Sequence, residues 1–266
     1  MNHDRATSDD ELAPLLSEPF AQAWRAPAPQ NDGLRSRLAA RLSQSLAAEQ
    51  GLTTVRRRHV LPELHDAGVQ WRWLYRAPSD RAQRPGEPTQ VAVMELPAGS
   101  DLQLPAAAGP REFLVVQGHV EIDGEALALH DFLLLPAGNA PRLRSAVSAQ
   151  VFIREASVAL VAERALVRDA AAGWPEFAPG IRRRVLWAGA GQAALLYRAE
   201  AGAAVPCHSH GHDEECFMVE GELFLDDLLL QQGDYQLAPA GSGHRITETD
   251  HGVVLYAHGD ESLRFT

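Results

Sequence analysis

The 266-residue sequence contains no lysine and only two cysteines, Cys207 and Cys216. Two cysteines are too few for the disulfide framework of a small secreted domain. No apolar run reaches the roughly 18–20 residues that a membrane-spanning helix needs, and the opening MNHDRATSDD is polar, unlike a signal peptide. From these absences we expect a cytoplasmic protein with no membrane partner.

Positive charge is also scarce. The 35 acidic side chains outnumber the 24 basic ones, all of them arginines, and the formal net charge is −11 with a pI near 5.4. A surface of this sign repels a phosphate backbone, so we expect no nucleic-acid partner. The hydrophobic fraction of 45% and the charged fraction of 22% are those of a globular protein with one large domain or two small ones.

Residues 1–52 differ in texture from the rest and predict a short N-terminal helical segment. Between a possible N-cap and a terminating glycine, leucines recur at every fourth position; these residues are Asp32, Leu34, Leu38, Leu42, Leu46 and Gly51. Such an amphipathic helix either covers the edge of the following domain or docks to a partner protein.

From residue 53 onward, short β-type runs separated by Gly, Pro and Asp-Gly predict a mainly β structure. The second half repeats the first. A shift of 103 positions aligns them without a gap, matching Asp66 with Asp169, Trp71 with Trp174, Gly99 with Gly202, Glu112 with Glu215, Gly118 with Gly221, Asp123 with Asp226, Asp131 with Asp234 and Gly138 with Gly241. Matched turn residues indicate the same backbone path, with hairpin turns at Asp123 and Asp226. We therefore predict two tandem domains, 53–155 and 156–266.

The second repeat contains two spaced motifs, Gly202-x5-His208-x-His210-x3-Glu214-x6-Gly221 and, twelve residues on, Gly233-x5-Pro239-x-Gly241-x2-His244. Side chains at positions i and i+2 of a strand share a face, so His208 and His210 project the same way. Three imidazoles and one carboxylate are the ligand set expected for Zn²⁺, Fe²⁺ or Mn²⁺.

These two motifs resemble the paired motifs of the cupin superfamily, and the resemblance covers about residues 53–266 as two consecutive cupin units. It implies two tandem jelly-roll (double-stranded β-helix) barrels. It also implies that His208, His210, Glu214 and His244 are the ligands of one divalent ion. We expect Zn²⁺, with Fe²⁺ and Mn²⁺ as alternatives.

The first repeat lacks these donors. Proline, alanine, arginine and proline stand at the four equivalent positions, Pro105, Ala107, Arg111 and Pro141. None of them ligates a metal, so we expect the first unit to be metal-free. Arg111 either contacts an anionic ligand in that barrel or forms a salt bridge with a neighbouring acid.

Two residues beside the predicted ligands have open roles. His212 shares their strand parity, so it joins the site, replaces Glu214 or turns toward the barrel mouth at Gly211. Cys216 points into the barrel below the metal, either as an inert small hydrophobe or as an oxidisable thiol. Besides the ligands, only Cys216 and Tyr256 are nearby candidates for a general base, which favours binding over catalysis.

The wording HSHGHDEECFMVEGELFLDDLLLQQGDYQLAPAGSGHRI and the closing ESLRFT resemble the ChrR-type cupins. ChrR proteins are anti-sigma factors with a zinc-holding C-terminal cupin and an N-terminal zinc-binding helical domain that grips the sigma factor. The present chain has no cysteine before Cys207, so residues 1–52 lack the His-x3-Cys-x2-Cys motif of that domain.

The ChrR resemblance implies a regulatory protein that senses a small ligand or an oxidant and contacts a sigma factor through its N-terminal helices. Paired cupins also pack together within one chain, and a homodimer is compatible with that arrangement. Two alternatives remain open. Related cupins are Fe²⁺ dioxygenases acting on diketones or aromatic ketones, and in others the metal is structural.

Overall fold

The computed structural model describes residues 33, 35–40, 42–43, 51–65, 68–78, 84–157 and 163–265. The chain divides into two units, Met1–Ala47 and Ala48–Thr266. The described residues of the first unit are helical, with Leu38 and Leu42 exposed. The other predicted helix positions, Asp32, Leu34 and Leu46, lie outside the described residues.

The second unit is mainly β, as predicted. The strands of the first repeat are β1 (Thr53–Val55), β2 (Glu63–Leu64), β3 (Gln70–Arg76), β4 (Pro88–Leu96), β5 (Ser100–Gln103), β6 (Arg111–Gln117), β7 (Val120–Ile122), β8 (Glu125–Leu127), β9 (Phe132–Leu135), β10 (Arg142–Ser145) and β11 (Ala149–Ala156). A 3-10 helix spans Arg57–His59. Within the described part of the chain, no helix has the length and apolar character to cross a membrane.

The second repeat follows the same plan. Its strands are β12 (Ala165–Val167), β13 (Glu176–Ala178), β14 (Ile181–Gly189), β15 (Gln192–Ala199), β16 (Ala204–Val205), β17 (His208–Ser209), β18 (Glu214–Leu225), β19 (Leu228–Gln231), β20 (Tyr235–Ala238), β21 (Gly243–His244), β22 (Thr247–Glu248), β23 (Val253–Asp260) and β24 (Arg264–Phe265). One short helix, α1 (Asp169–Ala172), precedes β13.

Each repeat contributes one large sheet, and the two sheets have matching strand orders. The first runs β12-β9-β6-β11-β4-β3-β2, and the second runs β1-β20-β18-β23-β15-β14-β13. The strands β5-β10-β7-β8 form a smaller sheet in the first repeat. In the second repeat β21-β17-β24 form a separate sheet. This last sheet carries two of the predicted ligands.

The first strand of each repeat pairs with the sheet of the other repeat. In β1, Thr53 lies opposite Leu237 of β20, and in β12, Ala165 lies opposite Leu134 of β9. Leu134 and Leu237 are equivalent under the shift of 103 positions, so the exchange is reciprocal. The strand pairing therefore crosses the predicted boundary between 53–155 and 156–266 in both directions.

The gapless alignment of the repeats holds from β4 onward but fails before it. Arg72 pairs with Val93, whereas Arg184 pairs with Leu196, the residue equivalent to Val93. Arg72 therefore corresponds to Arg184, a shift of 112 positions instead of 103. The cause is the connection between β3 and β4, which is nine residues longer than that between β14 and β15.

Two predicted equivalences are affected by this offset. The pairing of Trp71 with Trp174 is wrong, because Trp71 lies in β3 and Trp174 precedes β13. Asp66 lies outside the described residues. Its predicted counterpart, Asp169, instead corresponds to Arg57 under the shift of 112. The main-chain N–H of Arg57 donates to Asp234, and that of Asp169 donates to Asp131, the residue equivalent to Asp234 in the first repeat.

Three apolar clusters organise the interior. The largest combines residues of both repeats between the large sheets, where the rings of Phe152 and Phe217 stack at 4.5 Å. A second fills the barrel of the first repeat, and a third, smaller cluster lies in the barrel of the second around Met218. Phe217 and Val219 face the opposing sheet, and Met218 faces the barrel interior.

A charged network is buried inside the core between the sheets. The guanidinium of Arg154 is 2% exposed and donates to Glu215 Oε1 at 2.8 and 2.6 Å and to Glu112 Oε1 at 3.0 Å. Tyr235 donates to Glu215 Oε2 at 2.9 Å, and Tyr256 donates to Glu112 Oε2 at 2.7 Å. All four carboxylate oxygens are thus satisfied, which is the condition for keeping charges in a core.

Candidate metal centre

Four side chains of the second repeat converge at one end of its barrel. Nε2 of His210 lies 3.2 Å and Nε2 of His244 lies 3.5 Å from Oε2 of Glu214. The ring of His208 is 5.1 Å from the ring of His210 and 5.6 Å from that of His244. The three imidazoles are buried. Donor atoms of His208, His210 and Glu214 all lie within 4.8 Å of one another, and His244 approaches this group through its 3.5 Å contact with Glu214.

Short antiparallel pairing between β17 and β21 places two of the imidazoles. His208 lies opposite His244, and Ser209 lies opposite Gly243. A Cβ atom on Gly243 would come within 2.4 Å of the main-chain oxygen of His208, so only glycine allows this approach. Nδ1 of His208 lies 2.9 Å from the carbonyl oxygen of Pro206, which leaves Nε2 for the centre of the site.

The residues present fit a divalent cation. Nε2 of His210 and Nε2 of His244 are buried and have no hydrogen-bond partner among the residues that the structure describes. Leaving a buried polar group unpaired costs about 1–3 kcal/mol, and a bound cation removes that cost. Three imidazoles and one carboxylate are donors that Zn²⁺, Fe²⁺ and Mn²⁺ accept.

The electrostatics of the cluster keep the electron pairs of His210 and Glu214 available, whereas His244 favours its protonated form. Burial lowers the pKa of His210, and the Glu214 carboxylate offsets only part of that effect. Burial raises the pKa of Glu214, but contacts with His244 and His210 outweigh it, so the net pKa of Glu214 is below its usual value. Burial also lowers the pKa of His244, but the Glu214 and Asp226 carboxylates outweigh it and the net pKa is raised.

A cavity of about 70 Å³ adjoins the cluster inside the second barrel. One wall carries His208, Glu214 and His244, and most of the other lining side chains are apolar, including Leu225 and Leu255. The space accommodates only a small group of atoms beside the imidazoles. A molecule bound there would contact both the candidate ligands and the apolar walls.

Cys216 occupies the predicted place beside the candidate ligands. It is buried, lines the cavity and contacts Glu214. Burial raises the pKa of its thiol well above the usual range, with the Glu214 carboxylate adding to the effect. A thiol held protonated is a poor nucleophile, so the geometry favours the inert hydrophobe over the oxidisable thiol.

The side chains of His212 and Tyr256 pair with acidic residues outside the set of candidate ligands. Nδ1 of His212 lies 2.5 Å from Oδ1 of Asp260, whose other oxygen accepts the N–H of Gly211. His212 is partly exposed and its ring pairs with Asp260, so of its three alternatives the structure favours the one in which it turns away from the candidate ligands. Tyr256 faces the opposite side of β23 and donates to Glu112, so it is not a base for this site.

The equivalent end of the first barrel holds a salt bridge. Arg111 is 5% exposed, with Nη2 at 2.5 Å from Oε1 of Glu155, and it also donates to the carbonyl oxygen of Pro105. Of the two alternatives for Arg111, the structure shows the internal ion pair, because its charge is already matched by Glu155. Pro105 stands where the second repeat has His208, and Arg111 where it has Glu214, so a fixed cation occupies this end.

Sequence reasoning missed one residue near the site. Asp226 was interpreted as a hairpin-turn residue alone, yet its Oδ2 lies 3.7 Å from Nδ1 of His244. The turn itself is confirmed by a positive φ of 54° at Asp226 and 49° at the equivalent Asp123. His244 ends β21, and the next strand, β22, pairs with the end of β18 directly before this turn, a contact that periodicity alone does not reveal.

Comparison with known proteins identifies the second repeat. Residues 162–263 match the family model of the ChrR cupin-like domain. This segment is a cupin-family domain. It contains all four residues of the candidate metal centre. No curated protein matches the chain.

Solved structures extend the likeness to most of the chain. An oxalate decarboxylase from Lactobacillus farciminis has a TM-score of 0.61 at 11% identity, covering 80% of this chain and 87% of that one. A candidate dioxygenase from Nostoc punctiforme has a TM-score of 0.63 at 14% identity, covering 79% and 82%. A cupin 2 barrel protein from Leptotrichia buccalis has a TM-score of 0.53 at 14% identity, covering 78% and 96%. At these identities the likeness establishes the jelly-roll fold of the cupin domain and its neighbour, and nothing about activity.

Proposed function

We propose that the chain is a bicupin that holds one divalent ion at His208, His210, Glu214 and His244 and binds a small molecule in the adjoining cavity. The observation that carries this proposal is that buried ring nitrogens of His210 and His244 have no partner among the described residues, while His244 lies in the wall of a mainly apolar cavity. We propose Zn²⁺ as the ion, with Fe²⁺ and Mn²⁺ as alternatives. When bound, such an ion supplies a Lewis-acid position for an oxygen atom of the ligand.

The contrast between the barrels supports a division of labour. The first barrel is filled by an apolar cluster that includes Phe113 and Ile122, and its equivalent of the metal end is closed by Arg111 and Glu155. The second barrel keeps a cavity. We therefore assign ligand binding to the second repeat and a supporting role to the first. We propose that the protein is a sensor, whose response is triggered when a small molecule enters this cavity.

The cavity provides the experiment. We choose 2,4-pentanedione as the probe because its two oxygens can coordinate a metal while its methyl groups suit apolar walls. Leu225 lines the cavity, so Leu225→Phe fills it while leaving the four candidate ligands in place. We expect calorimetric titration to detect binding to the zinc-loaded wild type and at least about tenfold weaker binding to this variant, since a loss of 1.4 kcal/mol is tenfold.

The repeat offers a matched control. Ile122 is equivalent to Leu225 but lies in the filled barrel. Ile122→Phe should cost about 1–3 kcal/mol of stability through overpacking, with the binding of pentanedione unchanged. Wild-type affinity for pentanedione in Leu225→Phe would contradict the placement of the ligand in this cavity.

A dioxygenase is the second candidate. The observation that favours it is the cavity beside the candidate ligands, which gives a substrate direct access to the metal position, and the Nostoc punctiforme neighbour carries that candidate activity by name. The raised pKa keeps the Cys216 thiol protonated, so Cys216 is not available as the general base of such an enzyme. Oxygen consumption by the Fe²⁺-loaded protein with 2,4-pentanedione would establish the enzyme. Binding without oxygen consumption would establish the sensor.

We also propose that the N-terminal helical segment contacts a protein partner, with a sigma factor as the candidate. The exposed Leu38 and Leu42, one turn apart on the helix, are spaced like the apolar anchors with which a helix docks into a groove of a partner. Leu38→Asp combined with Leu42→Asp should abolish co-purification of a sigma factor without altering metal content. Unchanged co-purification would contradict this surface as the contact.

A further inference from the structure

We infer that Asp226 is a positioning residue for the proposed metal site: its carboxylate holds the His244 imidazole so that Nε2 faces Glu214. Oδ2 of Asp226 lies 3.7 Å from Nδ1 of His244, and Nε2 of the same ring lies 3.5 Å from Oε2 of Glu214. The two nitrogens of one ring therefore face two carboxylates. This inference rests on the proposed metal site.

The backbone fixes the carboxylate of Asp226 before any metal binds. Asp226 sits in the hairpin turn between β18 and β19 with a φ of 54°. Its Oδ1 accepts the main-chain N–H groups of Arg245 at 2.9 Å and Ile246 at 3.3 Å. Since Oδ1 is used by the residues that follow His244, Oδ2 is the oxygen left for the ring. The Asp226 carboxylate is thus held by the segment that directly follows His244.

Nδ1 of His244 needs such an acceptor. It is buried without a hydrogen-bond partner in the described part of the chain, and the Asp226 carboxylate faces it at 3.7 Å. A 3.7 Å separation is longer than a hydrogen bond. Hydrogen bonds at functional sites are often this long without the bound ligand and shorten when it binds. Metal-bound histidines usually donate their second N–H to a carboxylate or a carbonyl, which fixes the tautomer and the ring orientation.

The other strand of the same small sheet shows the carbonyl version of this arrangement. Nδ1 of His208 lies 2.9 Å from the carbonyl oxygen of Pro206. His208 and His244 lie directly opposite each other in the sheet. Each ring is therefore approached at Nδ1 by an oxygen, and each keeps Nε2 for the centre. Because a carboxylate faces Nδ1 of His244 and only a carbonyl faces Nδ1 of His208, Nε2 of His244 should be the more basic of the two metal-binding nitrogens.

A purely structural role for Asp226 is the competing explanation, and the first repeat isolates it. Asp123 occupies the equivalent turn with a φ of 49°, and its Oδ1 accepts the main-chain N–H of Arg142 at 2.8 Å. The position equivalent to His244 is Pro141, which has no ring N–H. Asp123 thus performs the turn function alone. The difference between the two aspartates measures the contact with His244.

The experiment compares Asp226→Asn with Asp123→Asn in the full chain. Asparagine keeps an oxygen for the main-chain N–H groups and tolerates positive φ, so both turns should persist. Zinc affinity is measured by competition with a chromophoric chelator. We expect Asp226→Asn to bind zinc roughly 10–100 times more weakly, as is typical for loss of such a partner, and Asp123→Asn to bind within about twofold of wild type.

A spectroscopic readout and a double variant separate positioning from folding. With Co²⁺ in place of zinc, the d–d absorption bands should shift in Asp226→Asn and stay unchanged in Asp123→Asn. In a His244→Ala background, Asp226→Asn should have no further effect on zinc affinity, because the ring that it positions is gone. An equal loss in both backgrounds would overturn the inference.

Two further results decide the remaining cases. If Asp226→Asn does not fold, ¹⁵N NMR of the zinc-loaded wild type gives the answer: Nδ1 of His244 should carry the proton, and zinc on Nδ1 overturns the inference. If wild-type protein binds no zinc, Fe²⁺ or Mn²⁺, the proposed site itself is wrong. If it binds zinc and Asp226→Asn equals Asp123→Asn, only the role of Asp226 is wrong.

Discussion

The Arg154 network gives a stability prediction with a worked magnitude. Arg154→Met removes a buried cation that donates to both Glu112 and Glu215 and leaves two carboxylates in the core between the sheets. Breaking a buried ion pair by removing one partner costs about 3–5 kcal/mol. For a domain of this size, each kcal/mol shifts Tm by roughly 2–4 °C, so the expected fall is roughly 6–20 °C.

The pH dependence of that loss has a definite sign. Burial already raises the pKa of Glu215 although Arg154 opposes it, and loss of the arginine should raise it further. A carboxyl whose pKa is raised in the folded state stabilises the fold below its unfolded pKa and loses that contribution as pH rises through the folded value. The deficit of Arg154→Met should therefore be large at pH 7.5 and smaller at pH 5.

Urea unfolding with a chelator present, so that no metal contributes, is the assay. Arg144→Met is the matched control, because its guanidinium is 51% exposed and lies 3.4 Å from both Asp101 and Glu121. Exposed pairs contribute about 0–1 kcal/mol, so this variant should stay near wild type. A loss below about 1 kcal/mol for Arg154→Met, or a deficit independent of pH, would refute the reasoning.

Three further outcomes are expected. Residues 156–266 expressed alone should fail to give a dispersed amide NMR spectrum, because β20 loses its partner β1; a well-dispersed spectrum would show that the strand exchange is dispensable. Arg111→Glu should bind one metal per chain by elemental analysis, since Pro105 and Pro141 still supply no donor; two metals would contradict the assignment. Zinc binding near neutral pH should release a proton, because the pKa of His244 is raised and the metal displaces that proton; calorimetry in buffers of different ionisation enthalpy would contradict this by showing none.

The repeat and the candidate ligands could be predicted because their signals are local. Gly118 and Gly221 both adopt positive φ, at 74° and 73°, and matched glycines of this kind are visible in the sequence. The period of two along β18 places Glu214 and Cys216 on the barrel face, where both line the cavity. Spacing and periodicity therefore suffice to predict that these side chains lie close together.

The rest depends on contacts between distant parts of the chain. Arg154 donates to Glu112, 42 positions before it, and to Glu215, 61 positions after it. Nothing in the adjacent sequence marks it as a buried charge. The exchange of β1 and β12 involves strands of three residues, too short to carry a pairing signal. The shift of 112 positions before β4 could not be predicted, because a gapless alignment does not show a loop insertion. Chance identities, such as Trp71 with Trp174, made the shift of 103 look continuous.

The most direct test of the account is anomalous X-ray scattering from crystals of the native protein, purified without a histidine tag and measured at the zinc, iron and manganese absorption edges. The account expects one anomalous peak per chain, within coordination distance of His208, His210, Glu214 and His244, and none in the first barrel. A chain that carries no ion at these four residues, or a peak beside Arg111 instead, would contradict it.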